Sequence, residues 1–126
     1  KTTFTQCPSP ISEENTTVID QITFDPDPPV SNQTITIKGH VNTTEDIIDG
    51  DVFVFGFTTT NITNPTLLGG NLSFICHDGK TICPTKNYDI DFTITAPELP
   101  SEYVMGAAIV RGTNNTIACG QSLISS

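Results

Sequence analysis

The chain has 126 residues and a formal net charge of −9, with five Lys plus Arg against 14 Asp plus Glu; its length is that of one domain, able to bury roughly 65–70% of its unfolded surface. So few cations exclude the phosphate neutralisation that nucleic-acid binding requires and the polybasic anchoring that holds proteins on anionic membranes. No apolar run reaches the roughly 20 residues of a spanning helix.

Helical periodicity is nearly absent and β-branched residues dominate, so short strands separated by turns are expected. The first two are predicted at residues 4–7 and 18–24. The acidic corner "DPDPP", Asp25 to Pro29, follows. Proline fixes φ and lacks an amide hydrogen, so this corner neither pairs inside a sheet nor continues a helix, and it reads as a rigid, exposed connector at a sheet end. Residues 34–41 then alternate, with Ile35, Ile37, Gly39 and Val41 on one side and Thr34, Thr36, Lys38 and His40 on the other. That pattern marks one buried and one wet face.

Residues 51–58 are apolar on both faces, Val52 and Val54 against Phe53, Phe55 and Phe57. Such a strand is covered on both sides or lines something apolar. A strand at 67–75 carries Leu68, Leu72 and Phe74. Residues 87–95 alternate again, with Tyr88, Ile90, Phe92 and Ile94 inward and Asp89 and Asp91 as solvated outward charges. Residues 102–110 are apolar on both faces, and Gly106, Ala107 and Ala108 leave room there. A last strand is predicted at 116–123. Eight such strands favour a two-sheet sandwich.

Cys76 and Cys83 bracket a short polar loop, while Cys7 and Cys119 lie near opposite ends of the chain. Proximity favours Cys76–Cys83 with Cys7–Cys119, one of three possible connectivities. The absence of Trp and the cysteine spacing do not match a true immunoglobulin pattern. His40 reads as a solvent-facing residue rather than a base. A zinc site at Cys76, His77 and Cys83 is disfavoured in an oxidising compartment. No nucleophile–base pair or phosphate loop is evident, so neither enzyme activity, a metal nor a cofactor is expected. Sequons at Asn15, Asn32, Asn42, Asn61, Asn71 and Asn114, with Lys1 rather than Met at the start, lead us to expect a glycosylated chain that is secreted or lies in a vacuolar or lysosomal lumen.

The order of an early Cys, "ITFDPDPP", "TITIKGHV", a Cys-to-Cys loop ending in "CP", "PELPSEY" and a final "TIACG" resembles the ML family of lipid-recognition domains. Fungal phosphatidylglycerol/phosphatidylinositol transfer proteins and the lysosomal cholesterol-binding protein of Niemann–Pick type C disease belong to that family. The resemblance spans residues 4–119, nearly the whole chain, read as a single domain over 1–126. It implies an all-β, immunoglobulin-like two-sheet sandwich with an apolar cavity between the sheets, and it is similar to the family in the two cysteine pairs given above. Many relatives carry a third bridge where this chain has Asp25 to Ser31, which leaves the corner's rigidity to its prolines.

"SEY" matches a family segment that follows an apolar pocket residue and ends in a pocket tyrosine, which would set Leu99 and Tyr103 at the cavity mouth near Pro97. The wider candidate lining is Ile35, Ile37, Phe53, Phe55, Phe57, Leu68, Leu72, Phe74, Ile90, Phe92, Ile94 and Met105. The expected ligand is a sterol or the acyl chains of a phospholipid, transferred between membranes by a monomer in transient membrane contact. The alternative is a lipid-presenting co-receptor or an extracellular interaction module without transfer activity.

Overall fold

The computed structural model describes residues 2–8, 16–60, 64–112 and 115–125. Among them are eight strands: β1 (Thr17–Val18), β2 (Ile22–Asp25), β3 (Thr34–Ile47), β4 (Val52–Thr58), β5 (Leu67–Phe74), β6 (Thr85–Thr95), β7 (Glu102–Arg111) and β8 (Asn115–Ser125). They form a five-stranded sheet in the order β1-β8-β7-β4-β5 and a three-stranded sheet in the order β2-β3-β6. The two sheets pack as a sandwich, as the alternating strands predict.

Several boundaries differ from the sequence reading. The predicted strand at 4–7 contributes only a bridge from Thr5 to Gln121. The run 18–24 splits, because β1 joins the larger sheet while β2 joins the smaller. Between them the chain crosses from one layer to the other: the Ile19 amide donates to the Cys119 carbonyl (2.9 Å), and the Gln21 carbonyl accepts from the His40 amide (3.0 Å). Such close approach needs bare backbone opposite. A methyl group on Gly120 would overlap the Ile19 carbonyl, and one on Gly39 the Gln21 carbonyl.

The alternation of β3 and β6 settles their inward faces through register, which pairs Ile35 with Ile94, Ile37 with Phe92, Gly39 with Ile90 and Val41 with Tyr88. In the larger sheet Phe53, Phe55 and Phe57 are buried and share a face with Ile109, Ala107 and Met105. Their rings fill the middle of the sandwich. Phe55 is a hub, with centroids 5.8 Å from Phe24, 5.4 Å from Phe57 and 5.9 Å from Phe92. Phe53 contacts Tyr88 at 5.5 Å and Phe92 at 5.8 Å.

The inward aromatic rings pack on one another, and the two concavities described below lie outside this layer. The expected inward placement of Leu72 and Phe74 is corrected. Register sets them beside Val54 and Val52, on the outer face of the sheet, where they are 57% and 54% exposed.

Candidate functional site

Among the described residues the two sheets share no hydrogen-bonded strand pair, and β5 and β6 each pair on one side only. Their free edges make a seam along the sandwich. One end of that seam is pinned. The Cys76–Cys83 disulfide closes the turn that joins β5 to β6, and the turn is docked by His77 Nε2 against Asp49 Oδ1 (2.7 Å) and by the Ile75 amide donating to the Asp51 carbonyl (3.3 Å).

At that same end Arg111 ties the layers together. Its Nε and Nη2 donate to the two oxygens of Asp51, each at 2.9 Å, and Nη2 also donates to the Asp46 carbonyl of β3 at 2.8 Å. The Ile48 amide adds a third donor to Asp51 (2.9 Å). Burial by itself would raise the Asp51 pKa. The Arg111 hydrogen bonds, the Ile48 amide and the Arg111 charge outweigh it, so the carboxyl sits below its ordinary range.

The other end of the seam is different. Along β6 the inward side chains pass from buried Tyr88 and Ile90 to half-buried Phe92 and Ile94. On β5 Leu68 is half-buried against the core, displaced by a bulge where β4 and β5 shift register at Thr58. Pro97 closes over Gly69, its ring within 3.1–3.5 Å of where a β-carbon would stand. Leu99 is half-buried beside the core, and its amide donates to Ser31 Oγ at 2.8 Å.

The proline corner frames this end. The Asn32 amide donates to the Ala96 carbonyl (3.1 Å) and the Ala96 amide to the Gln33 carbonyl (2.9 Å), which joins the corner to the segment carrying Pro97 and Leu99. Asp27 accepts hydrogen bonds from the amide and hydroxyl of Thr2. Asp25-Pro26 and Asp27-Pro28 are cis peptides. Beneath lie Phe57 and Tyr103, their ring centroids 6.0 Å apart, with Met105 fully buried. Burial pushes the Tyr103 hydroxyl pKa up, and the Asp27 charge pushes it further.

Leu68, Phe92, Ile94, Pro97, Leu99, Tyr103, Phe57 and Met105 thus converge on one end of the sandwich. Ile35, Ile37, Phe53, Phe55 and Ile90 lie deeper in the core, and Leu72 and Phe74 stand outside it. Sequence parity could not have revealed the gradient along β6, since every second residue there is apolar. His40 faces outward, as its parity requires, and is paired with Asp89 across the β3–β6 ladder (2.7 Å). Asn32, Asn42 and Asn71 are exposed, whereas Asn15, Asn61 and Asn114 lie outside the described residues.

A concavity of about 800 Å³ lies not between the layers but on the outer face of the five-stranded sheet, beside Leu72 and the Cys7–Cys119 disulfide. A smaller, more polar one borders β2 and His40. Both faces that were apolar in the sequence of β4 and β7 are accounted for by the core on one side and this concavity on the other.

No curated protein matches the sequence. Among solved structures, chicken MD-1 complexed with lipid IVa aligns with a TM-score of 0.53 at 16% identity, over 97% of this chain and 87% of that one. The family model of the ML domain matches residues 1–124, and the chain belongs to the ML-domain family.

Proposed function

We propose that this protein is a secreted or lumenal lipid carrier that admits a sterol, or the acyl chains of a phospholipid, between its two sheets and moves them between membranes. The observation that carries this reading is the asymmetric seam. Half-buried inward apolar side chains gather at the end where β5 and β6 are unpaired, while a disulfide and the Arg111–Asp51 pair hold the other end. Membership of the ML family supports lipid binding, and the structural neighbour is itself a lipid complex.

The physics is that of burial rather than covalent chemistry. Burying a methylene is worth about 0.8 kcal/mol, so a chain of about sixteen carbons gains on the order of 12 kcal/mol on leaving water. A sandwich that parts at its unpinned end while touching a donor bilayer exchanges one apolar surface for another. Phe92 moves off Phe53 and Phe55, and the guest replaces those contacts. Oxidised cysteines and exposed sequons at Asn32, Asn42 and Asn71 support a secretory route.

Native mass spectrometry after mild extraction is expected to show bound lipid, and added sterol or phospholipid to raise the thermal midpoint. Phe92→Asp places a charge at the seam and is expected to abolish that shift while circular dichroism still reports a folded sheet. If saturating sterols and phospholipids neither bind nor shift the midpoint of the native protein, the carrier reading fails.

A further inference from the structure

The concavity on the outer face of the larger sheet is a trench built by cross-strand register. Gly70, Gly56 and Gly106 lie side by side on β5, β4 and β7, and Gln121 continues the row on β8. On either side run rows of larger side chains, two residues away except at Leu67, which the β4–β5 register shift sets three from Gly70. Leu72, Val54 and Ala108 form one wall, and Leu67, Thr58 and Val104 the other. The Cys7–Cys119 disulfide and Pro8 bound it at β8. At the β5 edge it is open, and the ridge there stands well exposed, Leu67 at 68% and Leu72 at 57%.

The geometry points to a second lipid site, separate from the space between the sheets: we propose that the trench takes one unbranched hydrocarbon chain of a lipid whose head carries no net negative charge. Three observations select this occupant. The volume, about 800 Å³, is in the small-molecule range of about 300–1,000 Å³, and the lining is apolar with a few hydroxyl and amide groups, as such sites are.

The three glycines lie on strands about 4.8 Å apart, so the bare floor runs about 10 Å across the sheet, and a Leu67 δ-methyl lies 3.2 Å from where a β-carbon on Gly56 would stand, which narrows the slot to the width of a single chain. None of the described lining residues is charged in a chain of net charge −9. An anionic head would meet repulsion and find no cation to pair with there. A flat partner, whether a bilayer surface or the sheet of a second copy, would rest on the ridges and leave the floor without contacts.

The trench can be filled without touching the interior, because a β-carbon on Gly106 meets nothing within 4 Å. The test uses the full chain, with 1-monopalmitin as probe, palmitate as the same hydrocarbon with an anionic head, and cholesterol as a probe for the interior. Gly106→Leu occupies the floor, and Leu72→Lys puts a charge on the exposed wall as a second variant should the first not fold.

With the interior first saturated by cholesterol, calorimetry and native mass spectrometry are expected to show monopalmitin binding at one site, palmitate binding more weakly, and a loss of affinity of about tenfold or more in either folded variant, with cholesterol binding unchanged. Unaltered monopalmitin affinity in both variants overturns the proposal, and so does a concentration-dependent dimer that competes with the probe. If only the trench binding is absent, the carrier reading stands. If monopalmitin binds and is lost in the variants while cholesterol does not bind, the trench stands and sterol carriage fails.

Discussion

Asp51 keeps a carboxylate with no exposed side-chain surface in a protein already strongly negative, and it does so because three donors converge on it. Replacing it by Asn leaves Arg111, whose side chain is 30% exposed, with a weaker partner at the junction of the two layers. Breaking a buried pair costs several kcal/mol, and partial exposure of the cation lowers that, so Asp51→Asn is expected to lose about 2–3 kcal/mol in urea unfolding at neutral pH.

The pH dependence has a definite sign. The folded-state pKa lies below the ordinary value of 3.8, so the contribution of Asp51 is complete above that value and disappears as pH falls through the lower, folded one. Urea midpoints measured from pH 6 to pH 2 are expected to converge for wild type and variant at the acidic end. Parallel curves would show that Asp51 does not titrate in this way.

The strands themselves show why the layers are joined where they are. Between β1 and β2 the chain leaves one sheet for the other and lies directly on the backbone of β8 and β3. Gly120 is the tighter of the two crossings, since the Ile19 carbonyl occupies the space its β-carbon would need. The obstacle is backbone, fixed by a hydrogen bond on either side, and cannot swing away as a flexible side chain would. Gly120→Ala is expected to destabilise the fold by about 1–3 kcal/mol, read as a lowered thermal midpoint. Gly106→Ala is the natural comparison, being a glycine on the neighbouring strand with open space, and there the change is expected to be neutral or stabilising.

The two disulfides divide the labour across the whole molecule. Cys7–Cys119 spans a sequence separation of 112, and Cys76–Cys83 one of 7. In the chain-entropy model a loop of about 100 residues confers about 4–5 kcal/mol and a short one about 2–3. Paired serine substitutions are therefore expected to lower stability more for the long clamp. For lipid uptake the ranking inverts on our reading, because Cys76–Cys83 pins one end of the seam through which a guest enters. Removing it is expected to change lipid off-rates more than removing Cys7–Cys119, a split that stopped-flow transfer between labelled vesicles measures directly.

The alternating pattern of β3 and β6 determined their inward faces without help, because successive side chains on a strand point to opposite sides and only one parity was apolar. Proximity along the chain pointed to the disulfide pairs that the structure contains. The connector after Asp25 followed from proline's own covalent limits, although Asp25 itself still pairs with Thr36 at the end of β2 and Pro29 is buried rather than exposed.

Where both parities were apolar, in β4 and β7, the residues carried no polarity to read, and only the opposing sheet decided that the phenylalanines face in and the valines out. Leu72 and Phe74 were misplaced for a related reason. Their face depends on registry with β4, which is fixed by hydrogen bonding across the pair and by a bulge, neither of which a single strand's composition encodes. The trench, finally, exists because glycines distant in sequence fall into one row, and that alignment is a property of the assembled sheet alone.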